Sequence, residues 1–168
     1  MPDRATVYIA LGANLENPAD QVERAIGELA SLPDARISRR SALYRSHAVG
    51  FTAQPDYINA VVELETARAP RDLLADLLDI ERRHGRQRTF RDAPRTLDLD
   101  ILLYGSLILD EPGLRLPHPR MHQRAFVLVP LAELAPDLSI PGRGPIKDLL
   151  NDTDLAQVSR LPDLDLPT

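Results

Sequence analysis

An α+β sandwich, with an antiparallel sheet carrying helices on one face, is the fold class the sequence predicts, and three observations predict it. Apolar residues alternate with a period of two across Tyr57–Leu64 and again across Leu97–Tyr104, the repeat of a strand whose two faces differ. Two other segments carry apolar stripes at helical spacing, each opened by a proline, which suits a first helical turn. The order of these segments is strand, helix, strand, strand, helix, strand, the βαββαβ pattern of a ferredoxin-like sandwich.

"TVYIALG" (Thr6–Gly12) reads as a buried strand ending at a glycine. "NPADQVERAIGELASL" reads as the first helix, with Asn17 at the N-cap, Pro18 in the first turn, and Val22, Ala25, Ile26 and Leu29 as its stripe. "ARISRRSALYRS" reads as one strand and "PDYINAVVELET" as the next. In the latter, Ile58, Ala60, Val62 and Leu64 form one face and Tyr57, Asn59, Val61 and Glu63 the other. "APRDLLADLLDIERRHG" reads as the second helix, with Pro70 in its first turn, leucines at 73, 74, 77 and 78, and Gly85 closing it. The strand "TLDLDILLY" follows. With both helices against the apolar face, Tyr57, Asn59, Asp98 and Asp100 would share the opposite, open face. Past Tyr104 the chain is proline-rich with a short apolar helix around "RAFVLVPLAEL". The expected organisation is one domain over 1–150 and a tail without periodicity over 151–168.

The 168 residues suit one domain with a single core, and 43% hydrophobic with 27% charged residues is ordinary for a globular chain. The absence of cysteine excludes disulfides and thiolate metal sites. A net charge of −5 argues against broad nucleic-acid binding. No stretch approaches twenty apolar residues and the N-terminus lacks a signal-peptide pattern. A cytoplasmic monomer without membrane or nucleic-acid partners is the expectation.

Asp98 and Asp100 leave the same strand face with Cα atoms roughly 6.6 Å apart. At an effective dielectric near 20, two such charges repel by roughly 2.5 kcal/mol. Water, arginines or metal ions can offset that. A lone D-x-D is often no more than two exposed residues on a half-buried strand, but here the neighbours are informative. Carboxylates are hard ligands suited to Mg²⁺, which takes one or two of them plus substrate phosphates. The preceding "RRHGRQRTFRDAPR" places Arg86, Arg88, Arg91 and Arg95 beyond Gly85. Guanidinium forks match phosphate oxygens, so cations beside metal-binding carboxylates point to a polyphosphate. Glu81 stands on a helix face otherwise apolar, either as a surface glutamate or as an acceptor facing a ligand. His118 and His122 are spaced i, i+4, but Pro119 and the lack of a third ligand argue against zinc. No G-x-x-x-x-G-K-[ST] or G-x-G-x-x-G loop is present in the sequence.

With these residues laid out, the chain resembles the 6-hydroxymethyl-7,8-dihydropterin pyrophosphokinase family. The match is carried by "YIALGANL", "YRSHAVG…QPDYINAVVELET", "IERRHGRQR", "RDAPRTLDLDILLYG" and "LPHPRMHQRAFVLVPL", in family order over roughly residues 6–140. The resemblance implies transfer of pyrophosphate from ATP to the pterin hydroxymethyl group with release of AMP, in folate biosynthesis. It implies two Mg²⁺ ions on Asp98 and Asp100, with Arg86 and Arg95 on the phosphates and Arg88 on a loop that closes over them. It implies nucleotide contacts from Glu81, Ile101, His118 and Arg124. It implies a pterin pocket of Gly12, Asn14, Ser46, Val49, Tyr57, Asn59 and Phe126. The chain departs from family members by Asp92 in place of a tryptophan, Pro119 in place of a tyrosine, and "SHAVG" in place of a proline-rich loop.

Two rival readings are weaker. A palm-type nucleotidyltransferase also sets D-x-D on a strand, but would want a Gly-Ser element at a helix start and a third strand carboxylate, and neither is found. An RNA-binding module is disfavoured by the acidic balance and by a content of only seven aromatics, four Tyr and three Phe.

Overall fold

β1 (Ala5–Ala13) is an inner strand of the sheet, largely apolar or small on both faces, and it pairs antiparallel with β4 (Tyr57–Thr66) on one edge and β5 (Asp98–Tyr104) on the other. In the computed structural model the described residues are 4–15, 17–47, 56–85, 97–156 and 158–162. Helix α1 (Pro18–Ala30) connects β1 to β2 (Ala35–Arg40) and β3 (Tyr44–Ser46), and α2 (Pro70–Arg83) connects β4 to β5. This is the ferredoxin-like order, with both helices on one face as expected.

That face encloses the larger core. Val7, Ile9 and Leu11 of β1 meet Val22, Ile26 and Leu29 of α1 and Leu73, Leu77 and Ile80 of α2, all buried. Ala60, Val62 and Leu64 extend it from β4. Truncating Leu29 or Leu77 to alanine in such a layer costs about 2–5 kcal/mol. Asn17 holds the N-cap position of α1 in the left-handed region (φ 58°), a conformation asparagine tolerates, with no capping bond from its side chain.

The expected single strand over residues 35–46 is two strands. β2 pairs with the Val62–Thr66 half of β4 and β3 with its Tyr57–Asn59 half. Between them Ser41 sustains the ladder: its N–H donates to the Val61 carbonyl (2.9 Å) while its hydroxyl accepts from the Val61 N–H (2.9 Å). A side-chain bond at the bend is not visible in periodicity.

The second face is not open throughout. After β5 come a hairpin of β6 (Leu109–Glu111) and β7 (Leu114–Leu116), then α3 (Ala125–Leu134), a small ribbon of β8 (Ser139–Ile140) and β9 (Gly144–Pro145), and α4 (Ile146–Asn151). α3 lays Leu128 and Leu131 over Tyr8, Val61 and Leu102, a second core. The tail expected from 151 onward is corrected in part: β10 (Val158–Arg160) pairs antiparallel with β3 and becomes the sheet's far edge. An edge strand needs only backbone groups, so a segment without apolar alternation can supply one. No helix among the described residues is long and apolar enough to cross a membrane.

Under α3, the buried Tyr8 hydroxyl donates to Glu63 Oε2 (2.7 Å) and Ser38 Oγ to Glu63 Oε1 (2.7 Å), with Arg39 Nε at 3.4 Å. Burial works to raise the Glu63 pKa, but the bonds from Ser38 and Tyr8 and the Arg39 charge outweigh it and hold the carboxyl below its ordinary range. A depressed carboxylate adds stability above its unfolded pKa and loses it as pH falls through the folded value. Glu63→Ala is therefore expected to cost about 1–3 kcal/mol at pH 7, with the gap to wild type narrowing through and below the ordinary carboxylate range. Urea unfolding at pH 7 and pH 3 checks this; an equal gap at both would contradict it.

Candidate functional site

The upper half of the second face is a trough because its residues on β1 are small. Direct pairing sets Gly12 between Asn59 of β4 and Asp98 of β5, and Ala10 between Val61 and Asp100. Paired residues share a face, so Asn59 and the two aspartates line one side of the sheet across a floor of glycine and alanine. The expectation that Tyr57, Asn59, Asp98 and Asp100 share a face holds. A Cβ on Gly12 would lie 3.2 Å from Asn59 Oδ1, so the glycine makes room for the carboxamide. A register shift between β1 and β5 at Tyr8/Ile9 interrupts the ladder below the aspartates, which resumes at Tyr8↔Leu103.

Asp98 and Asp100 are half-buried while Leu99 and Ile101 between and beyond them are buried in the core. Two cavities of about 630 Å³ each open beside them. The first lies along Leu74, Ile101, His118 and the β6–β7 hairpin; the second lies along Gly12, Ser46, Tyr57, Asn59, Arg124 and Phe126. Asp98 lines the second and Asp100 lines both. Asp100 is thus the shared wall of two concave sites, with Asp98 beside it in the second.

In the second cavity, Asn59 is 4% exposed and its Nδ2 donates to the Ser46 hydroxyl at 2.7 Å, which fixes the carboxamide plane. The Arg124 guanidinium sits 5.6 Å from the centre of the Phe126 ring, in cation–π range. Both stand at the start of α3, where the macrodipole is positive. In the first cavity, the His118 backbone N–H donates to the Leu102 carbonyl (2.9 Å), and the ring Nδ1 accepts from the Arg120 backbone N–H (3.2 Å). Burial lowers the His118 pKa; Asp100 opposes this and Arg124 and Arg120 add to it. The imidazole is therefore neutral at pH 7, with Nε2 carrying the proton as a donor.

The sequence-based candidates sort as follows. Gly12, Ser46, Tyr57, Asn59 and Phe126 come together in the second cavity, and Ile101 and His118 in the first. Arg124 lines the second, beside both aspartates. Asn14 is buried just past β1 and lines neither cavity. Glu81 is also absent from both linings; it is buried beneath β5. Val49, Arg86, Arg88 and Arg95 lie outside the described residues, as do Asp92 and the loop expected to close.

Sequence reasoning missed Arg120, Gln123, Thr153, Asp154 and Val158, which also line the second cavity. The last three arrive because β10 pairs with β3: Val158 lies opposite Ser46, and Asp154 Oδ1 accepts the Ala156 N–H (3.0 Å) in the turn before it. It also missed the hairpin walling the first cavity, although "LDEPGLRL" carries a Pro-Gly turn whose Gly113 has φ 78°.

A divalent ion fits the aspartates by donor chemistry. Among the described residues no group of three or more His, Asp or Glu could hold a metal. An ion here would complete its shell with water and ligand oxygens, as Mg²⁺ does.

Comparison with known proteins adds the following. A family model described as 7,8-dihydro-6-hydroxymethylpterin-pyrophosphokinase matches residues 8–136. The chain is 47% identical over 156 residues to a 2-amino-4-hydroxy-6-hydroxymethyldihydropteridine pyrophosphokinase of Pseudomonas aeruginosa, covering 93% of this chain and 96% of that one. It is 45% identical over 145 residues to the protein of the same name from Haemophilus influenzae, covering 86% and 91%. Among solved structures, an HPPK-DHPS in complex with substrates superposes with a TM-score of 0.74 at 12% identity, over 95% of this chain and 47% of that one. A Plasmodium falciparum HPPK-DHPS superposes with a TM-score of 0.69 at 13% identity, over 90% and 46%. The chain spans just under half the length of these solved chains, and the likeness shows the fold.

Proposed function

The chain belongs to the 7,8-dihydro-6-hydroxymethylpterin-pyrophosphokinase family, and from that premise we propose how its two cavities divide the reaction. The activity is pyrophosphoryl transfer from ATP to 6-hydroxymethyl-7,8-dihydropterin, in folate biosynthesis. The hydroxymethyl oxygen bonds to the β-phosphorus, the bond from that phosphorus to the α,β-bridging oxygen breaks, AMP leaves, and the hydroxyl proton is released.

The observation that carries the reading is Asp100, which lines both cavities. The pterin occupies the second cavity. Asn59, held by Ser46, pairs with the donor and acceptor edge of the bicycle, and Tyr57 and Phe126 offer aromatic surface to its faces. The nucleotide occupies the first, with Ile101 against its base or sugar and the neutral His118 donating from Nε2 to a phosphate oxygen. The two substrates then meet over the aspartates, with transfer in line. Asp98 and Asp100 would hold two Mg²⁺ ions, which supply charge neutralisation on the polyphosphate and polarise the attacking hydroxyl. Arg124, with Arg86, Arg88 and Arg95 from the loop outside the described residues, compensates charge on the transferring group.

Incubation with ATP, Mg²⁺ and the pterin tests the reading. AMP and pterin diphosphate in equal amounts are expected; inorganic pyrophosphate would point instead to nucleotidyl transfer, and no turnover would refute it.

The C-terminal segment is read as the fourth wall of the pterin cavity. Ending the chain after Asn151 removes Thr153, Asp154 and Val158 from that wall. The pterin KM is expected to rise about tenfold, equivalent to about 1.4 kcal/mol, with the ATP KM within twofold of wild type. Equal changes in both constants in steady-state kinetics would contradict this.

A further inference from the structure

Among the described residues β5 is the last strand on its side of the sheet, with β1 on one edge and no strand on the other. Its inner edge meets β1 at Ala10↔Asp100, Leu11↔Leu99 and Gly12↔Asp98. At the outer edge, the Leu99 N–H, between the two aspartates, donates to Glu81 Oε2 at 2.8 Å. Three residues further on, the Leu102 carbonyl accepts the His118 N–H. Both bonds flank Asp100.

Glu81 is 3% exposed, on the α2 face that also buries Leu73, Leu77 and Ile80. Burying a carboxylate is costly unless something repays it. Leu99 is itself buried, so its N–H takes its acceptor from the protein rather than from water. What a buried acceptor on a helix adds is a fixed position for that N–H relative to the core, and Asp98 and Asp100 are the two residues bonded to Leu99 on either side. We propose that Glu81 is a positioning residue: by holding the Leu99 N–H to the last turn of α2, it fixes the spacing and direction of the Asp98 and Asp100 carboxylates. The inference rests on the reading of those aspartates as the metal-holding pair. It replaces a direct nucleotide contact by Glu81 with an action through the strand.

The bond and the charge are separable. Glu81→Gln keeps an acceptor oxygen at the same reach and removes the charge; Glu81→Asp keeps the charge and falls short by one methylene. Mn²⁺ is titrated, by electron paramagnetic resonance, into protein saturated with α,β-methylene-ATP. Outer partners of metal ligands are worth about 10–100-fold in metal affinity. Glu81→Asp and Glu81→Ala are therefore expected to weaken Mn²⁺ binding at least about tenfold, and Glu81→Gln by no more than about threefold. Leu99 amide exchange should be slow in wild type and Glu81→Gln and fast in Glu81→Asp. In turnover with ATP, the pterin and Mg²⁺, kcat should fall in Glu81→Asp while the pterin KM stays within twofold. Wild-type Mn²⁺ affinity in Glu81→Asp, or loss in Glu81→Gln as large as in Glu81→Asp, would overturn the proposal. Absence of Mn²⁺ binding in wild type would overturn the metal reading and this proposal together; Mn²⁺ binding lost in Asp98→Ala but retained in Glu81→Asp would overturn this proposal alone.

Discussion

Asp98→Ala and Asp100→Ala are each expected to lower kcat by about 10³-fold or more, equivalent to about 4 kcal/mol of transition-state stabilisation. The carboxylates are proposed to hold the charge that offsets the triphosphate as the β-phosphorus changes partners, and that role peaks in the transition state rather than in the ground state. The fold should survive. Both side chains stand on the trough side of β5, away from the core that Leu99 and Ile101 fill. In the absence of metal the pair repels by roughly 2.5 kcal/mol at a dielectric near 20. The melting temperature of either variant without metal should therefore stay within about 5 °C of wild type. Loss of turnover with no loss of stability distinguishes a functional pair from a structural one. Turnover within tenfold of wild type in both variants would refute the metal-holding role.

Asn59→Ala is expected to give the second largest effect, on the pterin rather than on the nucleotide. Asn59 is almost fully buried, its carboxamide is fixed by Ser46, and Gly12 is shaped to admit it. Removing it leaves both the Ser46 hydroxyl and the pterin edge without their partner at a buried position, at about 1–3 kcal/mol for each buried unpaired group. The summed loss is about 10²-fold or more in pterin affinity, with ATP-analogue affinity within about twofold. Calorimetry with each ligand separately measures both. Asn59→Asp would place a carboxylate near Asp98 across Gly12, and should also fail to bind the pterin. Unchanged pterin affinity in Asn59→Ala would remove the pterin from the second cavity.

The βαββαβ order and the shared face of Tyr57, Asn59, Asp98 and Asp100 were legible because both follow from local period. A strand's alternation assigns faces without knowing its neighbours. The α1 stripe of Val22, Ala25, Ile26 and Leu29 was legible for the same reason, and all four are buried. What was not legible depends on distant partners. The apparently continuous strand over 35–46 bends at Ser41, whose hydroxyl takes the Val61 N–H, twenty residues away. Val158–Arg160 joins the sheet through backbone pairing with β3, which leaves no trace in side-chain pattern. Glu81 lies on a helical stripe, so its burial could be inferred, but its bond to a backbone N–H eighteen residues on could not. That cavities on either side of β5 share Asp100 follows from the hairpin and α3 closing over opposite sides, a tertiary fact. The residue types and family motifs pointed to the chemistry; only the packing shows which residues meet.

The central claim is that nucleotide and pterin occupy separate cavities that meet at Asp98 and Asp100. A crystal structure with Mg²⁺, the pterin and α,β-methylene-ATP tests it most directly, since the methylene replaces the oxygen whose bond to the β-phosphorus would break. The expected result is the pterin ring beside Asn59 and Phe126, the adenosine beside Ile101 and His118, and the hydroxymethyl oxygen in line with the β-phosphorus above the aspartates. Both ligands in one cavity, or a triphosphate directed away from Asp98 and Asp100, would contradict it.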